Sequence, residues 1–262
     1  MRGGRSSCPR PGPDVDPVIL AVAVFAMGTL AGATAALAGF GIGSLLTPLL
    51  AVQFGAAGAI AAVSIPHAIA TAFRTWRLRR SIDIGVLKRF GLISAAGGLA
   101  GGLMHARLAN DILTAVLGAL LIATGVIGLV GIPEQWRPRG PAVGALGLCS
   151  GFFGGIAGNQ GGLRASALSA FRLEPRAFVA TSTATALLVD AARTPIYLWS
   201  AGREVLGAAP IIAVATGGVL LGTLLGERLL MGMAPERFRR IVSLLIGVLG
   251  VWLLASSLRS SS

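Results

Sequence analysis

Long runs without a charged residue, separated by short basic clusters, dominate the chain. The longest is Val18 to Phe73, 56 consecutive residues with no Asp, Glu, Lys or Arg. A membrane crossing takes about 20 apolar residues, so this run predicts two spans and a remainder long enough for a broken or re-entrant piece. Further uncharged runs cover Phe90 to Met104, Ile112 to Pro133, Gly140 to Leu163, Val205 to Gly226 and Ile241 to Leu258. Ala177 to Val189 is uncharged as well, and extends to Trp199 as another span once Asp190 and Arg193 are admitted. The pattern predicts an all-α, polytopic membrane protein with about eight membrane-embedded helical elements.

Composition removes the soluble alternatives. Of the 262 residues 54% are hydrophobic and 12% charged, with a mean hydropathy of +0.80. An average soluble domain carries about 25% charged residues, so there is too little polar side chain here to cover a water-facing surface. Glycine, at 38 residues, has roughly twice its usual share, which suits closely packed membrane helices and locally unwound backbone. A net charge of +12 would suggest nucleic acid in a soluble protein. Here the cations lie in clusters between apolar runs, as membrane topology signals do, so no nucleic-acid partner is expected. Cys8 and Cys149 cannot form a disulfide framework and read as free thiols. Residues 1–17 read as an N-terminal tail, because the run after Pro17 is too long for a cleaved signal peptide.

An internal repeat follows from the glycines. An offset of 119 residues superposes Gly28, Gly32, Ala38, Gly39, Gly43 and Leu49 on Gly147, Gly151, Ala157, Gly158, Gly162 and Leu168, and Arg74-Thr75 on Arg193-Thr194. At an offset of 120, Gly97, Gly98 and Gly102 fall on Gly217, Gly218 and Gly222. This predicts two transmembrane repeats, residues 18–131 and 141–258, joined by a linker at 132–140 and followed by a short tail at 259–262. Basic loops are cytoplasmic as a rule, and their bias reverses between the halves. Arg74 to Arg89 is rich in cations where its counterpart holds only Arg203, whereas Arg107 stands alone against Arg228, Arg237, Arg239 and Arg240. Opposite bias predicts an inverted repeat, an arrangement that encloses a midplane site in many secondary transporters. The three arginines before Pro17 would lie outside in this arrangement.

Two corresponding glycine breaks are the strongest local feature. They read Ala38-Gly39-Phe40-Gly41-Ile42-Gly43 and Ala157-Gly158-Asn159-Gln160-Gly161-Gly162. Unwound backbone inside a membrane survives only where it is buried in protein or lines a cavity, and a helix restarting after it points free N–H groups inward as an anion site. Gly-x-Gly as a nucleotide motif lacks the strand and βαβ context it needs. Close helix packing is the competing explanation of these glycines.

The segment Gly151-Phe152-Phe153-Gly154-Gly155-Ile156-Ala157-Gly158-Asn159-Gln160-Gly161-Gly162 and its weaker copy at Gly28 to Gly43 resemble the TauE/SafE sulfite exporter family of membrane permeases. The resemblance spans nearly the whole chain outside the tail. It implies a secondary carrier, an exporter, of small anions such as sulfite, sulfonates or related organic anions, in a plasma or inner cell membrane. Two departures from the family pattern stand out. Asn159-Gln160 replace part of the glycine run, and Ala167 occupies a proline position that Pro48 retains in the first copy.

Ionisable residues in apolar sequence are costly and point to function by default. Arg164 directly follows the second break, where a guanidinium beside restarting N–H groups could clamp an oxyanion in two places; an arginine snorkelling to lipid headgroups is the alternative. Arg193 lies three residues after Asp190, as either an internal ion pair or an anion site gated by that pair. Arg74, its first-half equivalent, begins a basic run and reads as a membrane-edge residue. His67 within the first run could relay a proton or pack through a hydrogen bond. The expected anion site therefore comprises Gly39, Phe40, Gly41, Gly43, Thr47, Gly158, Asn159, Gln160, Gly161, Gly162, Arg164, Ser166 and Arg193, with Asp190 or His67 carrying a coupled proton. Ser166 and the run Thr181, Ser182, Thr183 and Thr185 supply neutral donors, which makes the second half the richer one. No cofactor or metal is called for. Ser44, Ser150 and His67 are bare ingredients of a hydrolase, but no Gly-x-Ser-x-Gly elbow or paired-His metal motif accompanies them, so an enzyme is not expected. A membrane subunit without substrate is the remaining alternative.

Overall fold

The computed structural model describes residues 16–39, 41–131, 138–159, 161–229 and 235–260. Helices account for nearly all of them, with no strand among the described residues. Helix α1 (Pro17–Ala38) starts where Asp16 accepts a hydrogen bond from the Val18 N–H at 2.7 Å and proline occupies the first turn, where its missing N–H costs nothing. It ends at Gly39, whose left-handed φ of 76° closes the last turn onto Ala35. Helix α2 (Ile42–Leu78) is two helices across a kink, because Gly55 leaves helical geometry (φ 67°, ψ 169°). The Asn110 side chain accepts a hydrogen bond from the Ala57 N–H at 2.9 Å, so the restarted helix finds a partner for one of its orphan donors. The 56-residue uncharged run thus resolves into one straight span, a short piece before Gly55 and a second long segment.

A short α3 (Ile84–Val86), a π-helical stretch (Leu87–Gly91) and α4 (Leu92–His105) form one apolar rod, followed by α5 (Asn110–Val130). The second half holds α6 (Pro141–Ala157), the eight-residue α7 (Gly161–Leu168), the long α8 (Pro175–Gly207), α9 (Ala209–Leu229) and α10 (Pro235–Ser260). Among the described residues six helical segments are long and apolar enough to cross a membrane, and α6 is a shorter apolar helix. Residues 1–15 of the expected tail and 132–137 of the linker lie outside the described residues.

Glycine sets how the helices pair. A Cβ on Gly32 would collide with the Val219 carbonyl, and one on Gly222 with that of Thr29, so α1 and α9 touch backbone to backbone. Helices α4 and α6 do the same through Gly97 against Leu148, Gly101 against Phe152 and Gly151 against Ser94. Such close approach is how helices associate when lipid is as apolar as the side chains themselves. Helices α5 and α10 form a third pair, and α2 packs along α8. Large apolar side chains cover the outside: Val18, Ile19 and Val22 of α1, Leu99 of α4 and Val248 of α10 are all about half or more exposed. In water each would forfeit about 25 cal/mol per Å² of apolar area, a loss that a hydrocarbon surround removes.

Candidate functional site

The two glycine breaks touch. Gly39 and Gly158 are equivalent left-handed caps, with φ of 76° and 71°, each closing the final turn of its helix. Gly43, in the first turn of α2, lies against the Gly158 carbonyl so closely that a Cβ would overlap it. Beside that contact the Ser44 hydroxyl donates to Asn159 Oδ1 at 3.1 Å. Arg164, in the first turns of α7, reaches the opposite way. Its Nη2 donates to the Gly39 carbonyl at 3.1 Å and its Nε to Ser182 Oγ at 3.0 Å. Each break is therefore braced by the helix that restarts after the other.

Arg164 is only 1% exposed, and its Nη1 has no hydrogen-bond partner among the described residues. Two other polar atoms on the segments that meet here, Asn159 Nδ2 and Thr47 Oγ1, are also buried without a partner there. Buried polar groups are otherwise almost always satisfied, so these segments carry polar groups with free capacity.

The end of α6 is different. A helix leaves its last four carbonyls without intrahelical donors, and here three side chains take them. Arg193 Nη1 donates to Gly154, the Tyr197 hydroxyl to Gly155, and His105 Nδ1 lies 2.8 Å from the Ile156 carbonyl. The remaining face of Arg193 is held by Asp190, with Nε and Nη2 at 3.1 and 2.8 Å from Oδ1. Asp190 Oδ2 meets His67 Nδ1 at 2.6 Å, and Thr71 Oγ1 stands 3.3 Å from the same ring nitrogen. A buried ring of His67, Asp190, Arg193, Tyr197 and His105 therefore locks α2, α4 and α8 onto the C-terminus of α6.

Charge in this interior does not balance. Arg74, Arg164 and Arg193 are buried, each at most 3% exposed, against the single buried carboxylate of Asp190 among the described residues. Arg74 also has its Nε and Nη1 buried without a partner there.

The model of the family described as Sulfite exporter TauE/SafE matches residues 24–253. The chain belongs to the TauE/SafE sulfite exporter family. It is accordingly a multi-pass membrane protein of a transporter family for sulfite-type anions. No curated protein and no solved structure matches it.

Within this TauE/SafE protein most of the residues expected to form the site come together. Gly39, Gly41, Gly43, Thr47, Asn159, Gly161, Gly162 and Arg164 are buried and Gly158 is partly so, and the contacts between Gly43 and Gly158 and between Arg164 and Gly39 join the two breaks. Phe40 and Gln160 lie outside the described residues. Ser166 turns back on its own helix, donating to the Gly162 carbonyl at 2.8 Å. Arg193 spends its donors on Asp190 and Gly154, and His67 and Asp190 form a direct pair. Arg74, read from its basic neighbours as a membrane-edge residue, is instead buried. Its alignment with Arg193 in the repeat was the available signal. Tyr197 and His105 carried no such signal, since neither lies near a break in sequence.

Proposed function

We propose that this TauE/SafE protein is a secondary carrier that exports small oxyanions, sulfite, sulfonates or related organic anions, through a site at the junction of the two breaks. The observation that carries the reading is the excess of buried guanidinium over carboxylate. An arginine in the middle of a membrane costs about 2.5–3.5 kcal/mol even on insertion scales, and burying charge without a partner is costlier still than burying a pair. An oxyanion held by Arg164 Nη1, with Asn159 Nδ2, Thr47 Oγ1 and the restarting N–H groups around it, would remove that cost and use donors left without protein partners.

The two halves act as inverted repeats of residues 18–131 and 141–258, about eight membrane-embedded elements in all, and rock about the site in alternating access. Support comes from the packing, in which equivalent glycines form corresponding interfaces: Gly28 and Gly32 of α1 seat on α9 as Gly151 of α6 seats on α4, with Gly147 against the Phe90 ring just before α4. The His67–Asp190 pair is the place for a coupled proton, since protonating either partner weakens the hold on Arg193. The host is a plasma or inner cell membrane.

The test is flux. Purified protein in proteoliposomes should move sulfite down an imposed gradient, and Arg164→Gln should abolish the movement while the protein still inserts and elutes as a single species. Undiminished flux in Arg164→Gln would remove the site. Intact wild-type protein that neither binds nor moves any sulfur oxyanion, sulfonate or carboxylate would favour a subunit without substrate.

A further inference from the structure

A second basic feature lies one step outward from the junction. A cavity of about 490 Å³ opens between the C-terminal turns of α1, the end of α2 and the start of α8, lined by Leu37, Arg74, Arg77, Arg176 and Val179, with Pro175 at its rim. Three guanidiniums share one cavity, and no carboxylate lines it among the described residues. Arg77 and Arg176 are exposed, whereas Arg74 is 3% exposed with Nε and Nη1 lacking partners among the described residues. The cavity also receives the N-terminus of a 33-residue helix: Glu174 makes no side-chain cap, and the N–H groups of Arg176 and Ala177 have no intrahelical acceptor. Its inner wall is shared with the junction. Val179 Cα lies 3.9 Å from where a Cβ on Gly39 would sit, and the Gly39 carbonyl is the one that holds Arg164.

Size separates the two places. At about 490 Å³ the cavity is many times the space one water needs, about 10–15 Å³, and is too roomy for a site that strips an oxyanion of its hydration. It concentrates anions electrostatically. Narrow basic clefts with low-dielectric walls raise local anion concentration by roughly 10–10³-fold, and salt weakens the effect.

We propose that this cavity is an antechamber that captures hydrated oxyanions and sulfonates through Arg74, Arg77, Arg176 and the start of α8, and passes them to the Arg164 junction. The proposal rests on the carrier reading for the class of ligand and for the transfer to the junction, and the capture stands without it. Arg77 stands in the last turn of α2, two residues before Arg79 and Arg80, so the antechamber opens on the basic face of the bundle.

The experiment uses the full chain in detergent with Cys8→Ser, Cys149→Ser and Leu37→Cys. Labelling of the introduced thiol is timed with a sulfonate-tailed and a trimethylammonium-tailed methanethiosulfonate, each rate divided by that for a small free thiol. At low salt the normalised anionic rate should exceed the cationic one by about tenfold, and ethanesulfonate should protect the thiol. In Arg77→Gln/Arg176→Gln, two exposed positions whose change leaves the fold intact, the preference should shrink toward one and protection should need about tenfold more ethanesulfonate. A parent ratio under about threefold, a preference that survives the double substitution, or absence of protection each overturns the proposal. In proteoliposomes the same double variant should raise the half-saturating sulfite concentration and keep the maximal flux. Labelling is read without flux, so a chain with charge-selective labelling and no transport would refute the carrier and leave the antechamber, while the opposite pattern would do the reverse.

Discussion

The two glycine breaks share a backbone and differ in what meets it. Behind the second break, the carbonyls that end α6 are taken by Arg193, Tyr197 and His105, and Asp190 holds the rest of Arg193. At the first break, Arg164 holds the Gly39 carbonyl and keeps a buried donor with no partner among the described residues. One break is closed mainly by its own half of the molecule, with His105 of α4 the cap that comes from the other half. The other is served by a side chain from the opposite half and has capacity left over. Chemical richness in sequence is therefore a poor guide to where a ligand goes: the second half carries more polar residues largely because it uses them on itself.

The contrast can be broken at four places, the largest effect first. Arg193→Gln should leave Asp190 buried beside His67 alone, costing about 3–5 kcal/mol as broken buried pairs do. A collapse in folded yield and apparent Tm in detergent would show it. Arg164→Gln should spare the fold and weaken sulfite binding by roughly 30-fold or more, the scale of about 2–5 kcal/mol for removing a buried charged contact. A thermal shift by sulfite that vanishes while the ligand-free Tm holds would be the signature. Gly43→Ala should cost about 1–3 kcal/mol because its Cβ overlaps the Gly158 carbonyl. Its repeat equivalent Gly162→Ala meets Thr124 no closer than 3.3 Å, at the side-chain oxygen, and should be milder. Equal apparent Tm losses for the pair would erase the difference between the breaks. Tyr197→Phe removes one hydrogen bond to Gly155 and should cost about 1 kcal/mol with sulfite binding unchanged.

Much of this architecture was legible in the residues. Length and composition of the uncharged runs predict membrane helices because a span must be about 20 residues and apolar, and the paired breaks predict unwound backbone because glycine tolerates a φ near 75°. Arg164 was legible because it directly follows a break. Arg74 was not, since its burial depends on how α2 kinks at Gly55 and lies along α8, and a local basic run looks the same at a membrane edge as at the mouth of a buried cavity. Tyr197 and His105 were hidden for a related reason: they cap α6 from α8 and α4, and no sequence spacing records which helix end a distant side chain will reach. The spacing of Arg193 and Asp190 admits an ion pair or an anion site gated by it, and the structure has the pair; the further partner, the Gly154 carbonyl, exists only once α6 and α8 are packed.

The central claim is that the anion binds at the first break, through Arg164, and not at the capped end of α6. Selenite has the shape and charge of sulfite and scatters more strongly, so a structure of the purified protein with selenite tests the claim directly. The account predicts added density contiguous with the Arg164 guanidinium and close to Gly39 and Asn159. Density seated on Arg193 beside Gly158, or none within reach of Arg164, would contradict it.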